Sequence, residues 1–140
     1  MTGKTARKKQ KTANIYHAHV YYNPKTKRQA SRLRSEAVKK FKITDRSRNF
    51  KLSRWNDKPG GPHPRPHFFI WFKASQYGAL VPWLSMNRKG LDILVHPVLE
   101  NGDPVIEHTD YAVWLGKPFK LRLDNFSGSP PSALGFTRGF

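Results

Sequence analysis

Polar and apolar side chains alternate through Ile15 to Tyr22 (IYHAHVYY). His17, His19 and Tyr21 therefore fall on one face of an extended segment, and Tyr16, Ala18, Val20 and Tyr22 on the other. Its β-branched and aromatic content favours a strand, which Asn23-Pro24 stops. From Thr26 to about Phe41 the period changes. Ala30, Leu33, Ala37 and Phe41 recur at three- and four-residue steps with Lys and Arg between them, which predicts an amphipathic helix with a basic, solvated face. Residues 43–56 read as a loop entering a second strand around Phe50 to Trp55. Lys58 to Pro66 carries four prolines, which exclude both helix and central strand.

His67 to Phe72 is apolar on both faces and predicts a central strand. Ser75 is the expected cap of a second helix bearing Tyr77, Leu80, Val81 and Leu84 on one side, with Pro82 kinking it and Gly90 ending it. Leu91 to His96 predicts a fourth strand, closed by Pro97. A glycine turn, the run Glu107-His108-Thr109-Asp110 and a short segment Tyr111 to Leu115 follow.

The order β-α-β-β-α-β is that of a split β-α-β sandwich, an α+β fold with a four-stranded antiparallel sheet and two helices on one face. There the first strand is central, between the third and the fourth, which places His96 beside His17. Ile93 and Val95 suit the helix side, so His17, His19 and His96 share the other face. Imidazoles two residues apart on a strand stand roughly 6–7 Å apart along the chain and can close on one metal ion. Imidazole suits zinc, iron, copper or nickel. The plain alternative for His17-Ala18-His19 is a pair of unrelated histidines on a solvated face.

Length allows one domain, taken as 14–126, with a basic flexible tail at 1–13 and a Pro/Gly/Ser-rich tail at 127–140. With no cysteine there is no disulfide framework and no thiol nucleophile, and no apolar run approaches the roughly 20 residues of a membrane span. A cytoplasmic location is expected, with the basic tail as an alternative nuclear address. The net charge of +17 is unevenly placed: residues 1–54 hold 17 of the 26 Lys+Arg and only 2 of the 9 acidic residues. Nucleic acid is thus an expected partner only through the basic tail, and the alternative reading of the chain is a nucleic-acid-binding module that uses this basic third. Tyr21, Phe69 and Trp71 could serve such a module as stacking planes on the sheet. No Gly-x-Ser-x-Gly elbow and no His-Glu-x-x-His helix appears, so hydrolase readings lack support.

Taken in order, Tyr16-His17-Ala18-His19-Val20-Tyr21-Tyr22, Gly61-Pro62-His63-Pro64, Trp83 to Leu91, Leu94-Val95-His96-Pro97, Glu107-His108-Thr109-Asp110 and Trp114-Leu115-Gly116 resemble the DOPA 4,5-dioxygenase family of the fungal type, over roughly residues 14–123. The resemblance implies a ferredoxin-like fold and extradiol opening of the catechol ring of L-DOPA by non-haem Fe(II), with O2 as co-substrate and zinc or another divalent metal as a substitute on purification. Such a centre commonly takes two histidines and a carboxylate. His17, His19 and His96 are the expected ligands, with His108 the first substitute and Asp92, Asp110 and Glu107 the acidic candidates. His63 and His108 suit acid–base roles on the catechol, and Arg88 and Trp83 a substrate's carboxylate and ring. His67 reads as a satisfied core residue. An open sheet face bearing aromatics further suggests a homodimer that covers it.

Overall fold

The computed structural model describes residues 11–126; the tail residues up to 10 and the C-terminal stretch from 127 lie outside them. β1 (Ile15–Tyr21) leads into α1 (Lys27–Phe41), whose buried Ala30, Leu33 and Ala37 lie at the expected spacing. β2 is short (Phe50–Leu52), and β3 (His67–Lys73) runs through a 3₁₀ turn, Ala74–Gln76, into α2 (Tyr77–Asn87). β4 (Ile93–Val98), α3 (Pro104–His108) and β5 (Val113–Leu115) complete the main elements.

The ferredoxin-like expectation holds, with one strand more than the four expected. The antiparallel sheet has the order β2-β3-β1-β4-β5, so β1 is central between β3 and β4 as the topology requires. The run Tyr111 to Leu115 supplies the fifth strand, pairing Val95 with Val113 at the sheet edge. One face carries Ala18, Val20, Phe68, Ile70, Phe72, Ile93 and Val95, packed with Leu33 of α1 and Leu80 and Leu84 of α2 into one core. That face carries the stability, and the other is left for chemistry.

Several local expectations are corrected. Pro97 lies inside β4 rather than ending it. The amide of Tyr21 bonds to the Asp92 carbonyl, so odd-numbered residues of β1 point their amides at β4. Pro97, opposite Tyr16, must then turn its nitrogen to the outer edge, where pairing with β5 has already stopped at Val95. A missing donor costs nothing there. β2 stops at Leu52, and an isolated bridge between Asn56 and His67 replaces its continuation to Trp55. Ser75 sits within the 3₁₀ turn and caps nothing; Gln76 precedes α2 without a side-chain cap. A third helix was not expected at Pro104: Asp103 caps it by accepting from the Val105 amide at 2.9 Å.

The face expected to be open is covered by the chain itself. α3, the proline-rich loop and the segment around Phe126 lie over it, and the Arg122 amide bonds to the Pro62 carbonyl to tie the last two together. An exposed sheet face therefore gives no ground for a dimer. No helix among the described residues is long and apolar enough to cross a membrane.

Leu33→Ala, at a fully buried position of the common core, is expected to cost about 2–5 kcal/mol of unfolding free energy in urea titrations. Met86→Ala, at a position 79% exposed, should stay within about 0.5 kcal/mol.

Candidate metal centre and active-site cavity

All six histidines of the chain line one cavity of about 420 Å3, on the face of the sheet away from α1 and α2. β1 supplies His17 and His19, β3 supplies His67, and β4 supplies His96; cross-strand pairing sets His17 opposite His96 and Trp71, and His19 opposite Phe69 and Leu94. His63 enters from the proline-rich loop and His108 from α3. Phe69 forms the floor, its ring stacked 4.4 Å from His17. Every one of the six is buried.

Two histidine groups have ligand atoms within 4.8 Å of one another: His17, His19 and His96, and His19, His63 and His67. His19 belongs to both, and a neutral imidazole offers one lone pair, so the groups are alternatives for one ion. The hydrogen bonds separate them. His96 Nδ1 lies 2.8 Å from the Pro97 carbonyl and donates to it, leaving Nε2 as a lone pair 3.0 Å from His19 Nε2. A backbone carbonyl holding the far nitrogen is the usual support of a metal-bound histidine. Two donors at right angles about 2.1 Å from one ion would stand about 3.0 Å apart, which matches this pair. His19 Nδ1 is buried without a hydrogen-bond partner among the described residues, as is Nδ1 of His67. The residues present fit a divalent metal held by His17, His19 and His96.

Burial keeps these rings neutral. Loss of solvation, with the neighbouring imidazoles His108 and His67 adding to it, lowers His17 to about 3. Burial takes His67 and His108 to about 4, although a backbone acceptor opposes the shift in each. His19, His63 and His96 are lowered as well, by burial first and by nearby histidines second. Neutral imidazole is the ligand form, so the site is ready for a cation without shedding protons at neutral pH.

The expected carboxylate ligand is not found: among the described residues both groups contain only histidine. Asp110 is exposed, and Asp92 is held at the sheet edge by the Lys117 amide at 2.7 Å. Glu107 does line the cavity, but its Oε2 accepts from the Leu99 amide at 2.7 Å, and burial raises its pKa. His63 and His108 reach the cavity as expected. Arg88 and Trp83 do not line it. Trp83 lies on α2, across the sheet, with its ring edge-on to Phe41. Arg88 instead donates to the Leu91 carbonyl at 2.8 Å and faces Asp92. His67 is no satisfied core residue but part of the cavity wall. Strand alternation carried the signal, because His67, Phe69 and Trp71 pair with Tyr21, His19 and His17. Tyr21 and Phe69, the aromatic planes considered for base stacking, are buried and cannot receive a base.

The Dopa 4,5-dioxygenase family model matches residues 16–125. An uncharacterized 21.2 kDa protein of Botryotinia fuckeliana is 35% identical over 118 residues, covering 77% of this chain and 61% of its own length. DOPA 4,5-dioxygenase of Amanita muscaria is 31% identical over 112 residues, covering 79% of this chain and 48% of its own. The chain thus spans about half to three fifths of the length of these curated relatives. A solved structure of a candidate dioxygenase from Nostoc punctiforme is 40% identical with a TM-score of 0.69, covering 80% of this chain and 90% of that one.

The buried histidines make metal-free stability depend on pH with a definite sign. Their folded pKa values lie below the ordinary 6.5, so the unfolded chain binds more protons in acid. Their contribution is fully present above pH 6.5 and is lost as pH falls toward 4 and then 3. The urea midpoint of metal-free protein should drop between pH 7.5 and 4.5; a flat profile would show that the rings are not held neutral.

Proposed function

The chain belongs to the Dopa 4,5-dioxygenase family, and on that premise we propose that it is a metal-dependent extradiol dioxygenase opening a catechol such as L-DOPA between carbons 4 and 5 to a seco-DOPA. Fe(II) is the proposed resident metal, held by His17, His19 and His96, and O2 is the co-substrate. The observation that carries this reading is the convergence of all six histidines on one cavity, in a chain without cysteine. Its volume of about 420 Å3 falls in the range of about 300–1,000 Å3 common for small-molecule sites.

When bound, a divalent iron would supply a chelating seat for both catechol oxygens, acidify them, and couple the ring electronically to O2. The chain's own groups do the rest. His108 donates its Nδ1–H to the Pro104 carbonyl at 2.8 Å, so its Nε2 keeps a lone pair that can take a catechol proton. Phe69 and Phe126 give the cavity apolar walls against which a planar ring can lie. The segments folded over the sheet keep bulk water from the reacting oxygens.

Anaerobic loading with Fe(II), followed by air and L-DOPA, tests the proposal. The expected result is one O2 consumed per catechol and a yellow ring-opened product. His96→Ala should lose more than about 100-fold in turnover, beyond the loss usual for a group that merely supports a ligand. Stoichiometric iron with no O2 uptake across a panel of catechols would refute the reading.

A further inference from the structure

The two flanking histidines are held in opposite tautomers. His108 and His96 each donate Nδ1–H to a backbone carbonyl and so present an unprotonated Nε2. His63 differs: its Nδ1 lies 2.7 Å from the hydroxyl of Tyr21. Tyr21 is 2% exposed, its ring stacked on Trp114 and met edge-on by Phe119. Among the described residues its hydroxyl has no other partner. A buried phenol proton needs an acceptor, and here Nδ1 of His63 is the acceptor available. A neutral ring that accepts at Nδ1 carries its proton on Nε2.

We propose that Tyr21 is a positioning residue that fixes His63 as an Nε2–H donor in the cavity wall, so that His63 holds an anionic oxygen of the bound substrate and is not a metal ligand. This rests on the catechol reading of the cavity. It divides the labour between the flanking histidines, His108 accepting a proton and His63 donating a hydrogen bond. It also explains why the second histidine group, which includes His63, is the weaker metal seat: a metal-bound imidazole uses its other nitrogen to donate, and Tyr21 makes that nitrogen of His63 accept.

The test uses the full chain with Zn(II) in place of iron and 4-nitrocatechol as the probe. Long-range 1H–15N spectra of histidine-labelled protein should show His63 protonated at Nε2 and bare at Nδ1, with Tyr21→Phe populating the Nδ1–H form. Tyr21→Phe and His63→Gln should keep one zinc per chain with affinity within about threefold, while 4-nitrocatechol binding weakens about tenfold, the loss of one hydrogen bond to an anion. A wild-type His63 protonated at Nδ1, a tautomer unmoved by Tyr21→Phe, or zinc lost with His63→Gln would each overturn the proposal. If Tyr21→Phe does not fold, the wild-type spectrum decides the tautomer alone. A chain that binds no nitrocatechol sinks the donor role together with the catechol reading. One that binds zinc and nitrocatechol as stated but, loaded with Fe(II) and given air and L-DOPA, opens no ring contradicts only the proposed reaction.

Discussion

His17 and His96 face each other across the antiparallel ladder of β1 and β4, and His19 is set two residues further along the same face. A slip of one residue would turn both β1 histidines toward the helices and bring Ala18 and Val20 into the cavity. The core forbids it, because Ala18, Val20, Ile93 and Val95 are packed beneath α1 and α2 with essentially no exposure. Helix packing on one side of a single sheet thus fixes imidazole geometry on the other. A side-chain period of two converts hydrophobic burial into a metal-binding pattern without any further device.

Burial then sets the chemistry. An unpaired imidazolium in such a place would be costly, so the rings stay neutral, and those of His96 and His108 turn a lone pair inward. The backbone decides which nitrogen is bare, through the carbonyls of Pro97 and Pro104. Both acceptors are proline carbonyls, on residues that have no amide of their own to commit to a ladder. With no carboxylate in the ligand group, a divalent ion would keep its full charge, which favours an anionic chelating partner at its remaining positions.

Much of this was legible in the sequence. The alternation of IYHAHVYY, the three- and four-residue spacing of Ala30, Leu33 and Ala37, and the strand order were enough to bring His17, His19 and His96 together. What escaped depended on long-range contacts. Pro97 looked like a strand end because its nitrogen's orientation depends on register. Arg88 and Trp83 lay in a motif beside functional residues, yet α2 packs behind the sheet. α3 and β5 are too short to show a period, so neither the fifth strand nor the cover that α3 gives the histidine face was legible. Tyr21 carried no signal of its role, since its partner His63 is 42 residues away in a loop without regular structure.

Anomalous diffraction from crystals soaked with Fe(II) or Zn(II) addresses the metal centre directly. A single peak about 2.0–2.2 Å from one ring nitrogen each of His17, His19 and His96 is the expected result. A peak seated instead among His19, His63 and His67, or none near any histidine, would contradict it.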